Sequence, residues 1–125
     1  GHTLLVCTDA GATRQAALVD QGLEIVKLTG DENGVDLTEL LTHLAARDCN
    51  EVLFETGATL AGALIRSGMM DELVIYMAAR LLGNDALPLA MLPEISCMNE
   101  AIDLQFTDVR HIGADIRLTA SVQSR

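Results

Sequence analysis

A carboxylate followed by a run of small residues is the part of this sequence best suited to chemistry. Residues 54–62 read FETGATLAG: an apolar segment ends in Glu55, Thr56 and Gly57 make a tight turn, and a helix begins. In an open α/β sheet such a junction is where ligands bind, because the strand's carboxyl end and the free N–H groups of the next helix face the same crevice. Gly57 removes the Cβ that would keep a phosphate away from the main chain. Ala58 and Ala61 keep the surface low, and Thr59 offers both a helix cap and a hydroxyl. Gly62 lets the helix lie close to a sheet or to a ligand. Glu55 reads as an acceptor for the N–H or hydroxyl hydrogens of a substrate; the alternative is that it caps the helix after it. The pattern is neither G-x-G-x-x-G nor a P-loop, so taken alone the turn is an unspecific motif.

Other candidates are weaker. His111 stands beside Arg110 on an expected strand, and a lone histidine without a visible partner reads as a half-exposed strand residue rather than a proton donor. His43 reads as a surface residue of a helix. Arg80 precedes Leu81-Leu82-Gly83 and could reach a ligand phosphate, or form a salt bridge with the acidic surface. Met69, Met70 and Met77 are core filler in a chain with only 2% aromatic residues. Asp71 and Glu72 read as a solvated corner. No side chain stands out as a general acid, so the catalytic residue stays unassigned.

The elements that must position the turn follow from periodicity. Residues 3–7 (TLLVC) read as a buried strand and residues 13–21 as a helix stopped by Gly22, with a break at residues 8–11 between them. Residues 23–28 alternate as a second strand, and residues 29–34 (TGDENG) read as a loop. Asp36 is placed to cap a helix through Arg47, with Glu39 completing the capping-box pattern. Residues 51–55 (EVLFE) read as a third strand, 59–67 as a helix ended by Gly68, and 73–79 as a fourth strand. Residues 81–100, with Pro88 and Pro93, read as an irregular connection. Residues 104–111 and 116–120 read as a hairpin around Ile112-Gly113-Ala114-Asp115, and the tail after residue 120 as frayed. The alternation implies one α/β domain over residues 1–125: a three-layer, mostly parallel sheet flanked by helices, with a C-terminal antiparallel hairpin.

Composition sets the outer bounds. The chain has 125 residues, half of them hydrophobic, enough for one domain with a sizeable core. Its formal charge of −10 argues against nucleic acid and against an anionic membrane surface, but not against a phosphorylated small ligand held by main-chain amides. Cys7, Cys49 and Cys97 are odd in number and scattered, which points away from disulfides and metal sites and toward a reducing, cytoplasmic setting.

In order and spacing, several of these pieces resemble the C-terminal reductase domain of the bifunctional riboflavin-biosynthesis deaminase/reductase family. The pieces are the strand ending in Glu55, the glycine turn and Thr59-Leu60-Ala61-Gly62, then Gly68, Asp71-Glu72, Leu81-Leu82-Gly83 and the closing stretch from Asp108 to Leu118. The resemblance covers residues 51–118. It implies a dihydrofolate-reductase-like fold lacking its N-terminal part. The implied reaction is NADPH-dependent reduction of 5-amino-6-(5-phosphoribosylamino)uracil to its ribitylamino form. It further implies that Glu55 contacts substrate and that Gly57, Ala58, Thr59, Leu60, Ala61, Gly62 and Ala63 contact NADPH. Gly57-Ala58 replaces the family's common Gly-Pro or Gly-Gly. Neither H-x-E nor P-C-x-x-C of the zinc deaminase domain is present. The resemblance thus implies a fragment, whose activity alone stays open; a homodimer is expected as its assembly, on the exposed edge of such a sheet. The competing class is a non-catalytic nucleotide-binding or dimerisation module of the same architecture.

Overall fold

The structure, a computed structural model, describes residues 2–9, 12–32 and 34–123, with main chain only at residues 12–14. The expected break at Ala10-Gly11 and the last two residues of the expected frayed tail lie outside the described residues. Contacts divide the chain into two compact units, Gly1–Leu53 and Phe54–Arg125.

The first unit opens with β1 (Leu4–Cys7), α1 (Ala12–Val19) and β2 (Glu24–Lys27). β1 and β2 pair in parallel, Leu4 opposite Glu24 and Cys7 opposite Lys27, as a short β-α-β crossover should. Gly22, at φ 80°, turns the chain after α1. The TGDENG stretch is more than a loop: β3 (Gly30–Asp31) and β4 (Gly34–Val35) form a small antiparallel pair within it. Helix α2 (Leu37–Ala45) is capped by Asp36, whose carboxylate accepts from the amides of Thr38 and Glu39 at 2.8 and 2.9 Å. The expected box does not close reciprocally. The Asp36 N–H donates instead to the Thr29 carbonyl at 2.8 Å, and Glu39 accepts from the Thr29 N–H and hydroxyl, which fastens the helix start to the hairpin. Beyond the helix, Arg47 holds Glu24 of β2 through two hydrogen bonds of 2.9 and 2.8 Å. His43 departs from its surface reading: it is half-buried, with Nε2 enclosed and unpartnered.

The second unit contains α3 (Ala58–Ser67), β5 (Glu72–Met77), a short 3-10 helix (Met98–Glu100), β6 (Leu104–Ile112) and β7 (Asp115–Val122). Its sheet has the order β5-β7-β6 and both pairings are antiparallel. This corrects the expected mostly parallel sheet: only β1 and β2 pair in parallel among the described strands. Element order shows alternation, but which strand takes β5 as neighbour is decided by the hairpin folding back and inserting β7. The expected third strand is also absent. Residues 51–55 keep a strand's alternation, Val52 and Phe54 half-buried between exposed Glu51, Leu53 and Glu55, but no described strand pairs with them. A strand is defined by its ladder, and periodicity alone supplies no partner. The hairpin is as expected: Gly113, at φ 62°, with Ala114 makes its two-residue turn.

Deep burial is scarcer than the composition suggests. Leu28, Leu64, Ile65 and Ala120 are the buried hydrophobic residues, while Leu53, Leu81 and Leu87 are 80%, 102% and 91% exposed. Two features organise the second unit. A strap at residues 88–94 crosses α3, and Gly62 is buried where the strap's main chain at Met91 passes. On one face of the sheet, Asp108 accepts from Arg110 at 2.7 Å and from Arg117 at 2.9 Å, with Tyr76 opposite Arg117 across the ladder. Hydrogen bonds from Arg110 first and Arg117 second hold the Asp108 carboxyl below the usual carboxylate range.

Two predictions follow from this packing. A Cβ at residue 62 would overlap the Met91 carbonyl. Gly62→Ala should therefore cost about 1–3 kcal/mol in urea unfolding through overpacking, despite the roughly 1 kcal/mol that alanine gains in a helix interior. Because the Asp108 pKa is lower folded than unfolded, its stabilisation is present above the unfolded value, roughly pH 4, and is lost as pH falls through the folded value. Acid unfolding followed by circular dichroism should thus show a shallower fall in stability below pH 4 for Asp108→Asn than for the wild type; equal slopes would contradict the assigned pairing.

Candidate functional site

The Glu55-to-Gly62 junction keeps its strand-turn-helix outline, with an extended unpaired segment in the strand's place. Gly57, not Thr59, is the N-cap of α3. It has extended backbone angles (φ −80°, ψ 171°), and no side chain caps the helix. Thr59 is the second helical residue, and its hydroxyl lies 3.6 Å from the Met91 sulfur. The first turn carries no acidic residue. The first intrahelical bond runs from the Ala61 N–H to the Gly57 carbonyl at 3.0 Å, so the amides of Ala58, Thr59 and Leu60 precede the ladder and keep their donor capacity. Those features suit a phosphate: aligned donors, the positive end of the helix dipole and no carboxylate in the first helical turn.

Gly57 has a further property. A Cβ there would meet nothing within 4 Å, and its φ is one that any residue adopts. Neither packing nor backbone conformation within this chain requires glycine at that position. The surface beside the free amides is open, and a glycine leaves it low enough for a ligand to reach the main chain.

Glu55 is exposed and makes no hydrogen bond or ion pair with a described residue. Two arguments from the sequence change accordingly. The carboxylate carries no burial cost that would demand a partner, and it does not cap α3, since no side chain does. It stands free next to the turn as an acceptor.

The remaining candidates divide. Gly57, Thr59 and Leu60 are exposed, and Ala58, Ala61 and Ala63 half-buried. Gly62 is buried against the strap, so its missing side chain serves that contact. Arg80 is exposed and forms no ion pair with a described residue, and His111 is exposed on β6 opposite Ile116. Among the described residues no three His, Cys, Asp or Glu side chains come together as metal ligands, and no helix is long and apolar enough to cross a membrane. Two surface hollows share no lining residue with the turn. One, in the first unit, is lined by Thr29, Gly30, Asp31 and Val35, and the other, in the second, by Ile65, Met70, Glu100 and Val122.

Reading the sequence passed over Met91 and Arg66. The strap lies in a stretch without periodicity, yet two signals were there: prolines at 88 and 93 stiffen the chain on either side of Met91, and a glycine inside a helix marks a close approach.

Comparison with known proteins agrees with this layout. The family described as the RibD C-terminal domain matches residues 2–118. Riboflavin biosynthesis protein RibD of Escherichia coli is 40% identical over 84 residues, 67% of this chain and 23% of that protein. The 5-amino-6-(5-phosphoribosylamino)uracil reductase of Buchnera aphidicola is 39% identical over 87 residues, 70% of this chain and 42% of that protein. Among solved structures, Acinetobacter baumannii RibD superposes with a TM-score of 0.81 at 26% identity, over 96% of this chain and 31% of that one. A pyrimidine reductase-like protein of Corynebacterium diphtheriae gives 0.79 at 17% identity, over 98% of this chain and 50% of that one, a likeness of fold alone. The chain thus spans less than half the length of the curated relatives it matches. With its mixed helices and strands, and with the family pattern running through nearly its whole length, this chain belongs to the RibD C-terminal domain family.

Proposed function

We propose that this chain is the cofactor-binding part of a reductase domain that converts 5-amino-6-(5-phosphoribosylamino)uracil to the ribitylamino compound with NADPH, on a dihydrofolate-reductase-like fold. The observation that carries the reading is the uncapped start of α3, free amides over an open glycine, in a chain of the RibD C-terminal domain family. The amides of Ala58, Thr59 and Leu60 hold a phosphate of the cofactor, Gly57 lets it reach the main chain, and Ala61 and Ala63 border the same surface. Bound there, NADPH supplies the hydride that reduces the sugar carbon. The chain's own contribution is to orient the two ligands and limit water around them, with Glu55 accepting hydrogen bonds from the pyrimidine substrate. The substrate is a phosphorylated small molecule, and three free cysteines suit a reducing cytoplasm. A homodimer is the assembly that suits the sheet best: β5 and β6 each hydrogen-bond to β7 alone among the described strands, and Phe106 and Val109 are 58% and 59% exposed.

The test separates ligand binding from folding. Gly57→Asp puts a good N-cap where nothing caps α3, so it should leave the chain as stable or more stable by a few tenths of a kcal/mol. The same carboxylate repels an incoming phosphate and blocks the amides. NADPH titration followed by nucleotide fluorescence should therefore saturate for the wild type and weaken by about tenfold or more for Gly57→Asp, the cost of about one charged hydrogen bond. Equal affinities would overturn the proposed cofactor site. A wild-type chain that dimerises by light scattering but takes up no nucleotide would favour the assembly-module reading.

A further inference from the structure

Helix α3 begins without a cap of its own, yet its first turn is held in place from outside. The Met91 N–H donates to the Ala58 carbonyl at 2.9 Å, and the Thr59 hydroxyl meets the Met91 sulfur at 3.6 Å. The Met91 main chain lies against Gly62. One residue of the strap therefore touches both the first and second turns of the helix. Met91 is held in its turn by Arg66, whose guanidinium donates to the Met91 carbonyl at 2.7 Å and pairs with Glu94 at 3.6 Å. Arg66 stands eight residues beyond Ala58, about 12 Å along the axis at the helical rise, and its guanidinium is taken up by the Met91 carbonyl and Glu94.

We infer that Arg66 is a positioning residue for the nucleotide-binding turn: by clamping Met91 and Glu94 it seats the strap on α3, and the seated strap fixes the Ala58–Leu60 amides for the phosphate. This rests on the reading that the turn binds NADPH. The competing role for Arg66 is local, a cation in the last turn of a helix whose dipole favours one there. That role needs only a charge. The clamp needs a planar fork that reaches a carbonyl and a carboxylate together. A ligand-binding turn that lacks a side-chain cap is under-restrained, and every degree of freedom left to it must be lost on binding, so an external clamp acts on affinity.

The experiment uses the whole chain and two readouts. Without nucleotide, amide exchange at Met91 reports whether the strap is seated. With nucleotide, fluorescence titration gives the NADPH Kd. In Arg66→Met, exchange at Met91 should rise and the Kd should weaken by about tenfold, the loss expected for a hydrogen bond from a charged donor. Arg66→Lys keeps the charge but not the fork, and should recover only part of the affinity. Glu94→Gln leaves the Met91 bond in place and should weaken binding by about two- to threefold, as befits an exposed ion pair; it decides the matter if Arg66→Met does not fold. Variants that bind NADPH as tightly as the wild type, or Arg66→Lys indistinguishable from the wild type in both readouts, would overturn the role of Arg66. A wild-type chain that binds no NADPH would overturn the nucleotide reading itself, and the role with it.

Discussion

The main chain at Met91 comes within contact of α3 only because residue 62 has no Cβ, and that approach sets the arrangement of the helix's N-terminal half. With a side chain at 62 the strap would stand off, the bond from the Met91 amide to the Ala58 carbonyl would lengthen, and the Arg66 guanidinium would lose the carbonyl it holds. Glycine in a helix interior costs about 0.5–1 kcal/mol relative to alanine, which two hydrogen bonds and the buried contact offset. Leu64 and Ile65, next on the same helix, are among the few deeply buried of the described residues, so the helix is anchored just beyond this approach.

What was legible in the sequence is what local chemistry decides. The β1-α1-β2 crossover, the Asp36 cap, the αL glycine at 68 that ends α3 and the Gly113 hairpin turn all follow from residues close in sequence, and all are present. What stayed hidden is pairing between distant segments. Val52 and Phe54 alternate as strand residues should, but a ladder needs a neighbour that no property of residues 51–55 can specify. The antiparallel placement of β5 against β7 depends on residues 39 to 49 positions away. Glu39 shows the same limit at short range. Its position fits a capping box, yet the nearby Thr29 offers both an N–H and a hydroxyl, two donors against the single N–H of the cap residue. At the candidate site, the turn and its glycines could be read from residue types, whereas the strap over Gly62 could not.

The proposed binding of an anionic cofactor is compatible with so acidic a chain. A charge of −10 spread over the surface acts weakly beyond a Debye length, about 8 Å at physiological ionic strength. What matters is the charge close to the amides: the first turn of α3 has no acidic residue, Glu55 stands before the turn, and Arg66 is occupied by Met91 and Glu94. The donors proposed for a phosphate are main-chain amides, which do not vary with pH and need no cation. Elsewhere Arg47 pairs with Glu24, and Arg110 and Arg117 with Asp108, while Arg80 makes no ion pair with a described residue. These three arginines brace the elements, and in the proposed site anion recognition falls to the backbone.

Two glycines on one helix carry opposite information. At Gly62 the chain's own atoms fill the space that a side chain would need, so the residue is accounted for from within. At Gly57 the space is empty, the backbone angles suit any residue, and the position is one where Ser, Asp or Asn would cap the helix better. A glycine that forgoes available stability without an internal reason fits the proposal that an anion reaches the amides beside it. Buried and exposed glycines look identical in a sequence pattern. Only the atoms around them separate the one that shapes the helix from the one beside which the space stays open.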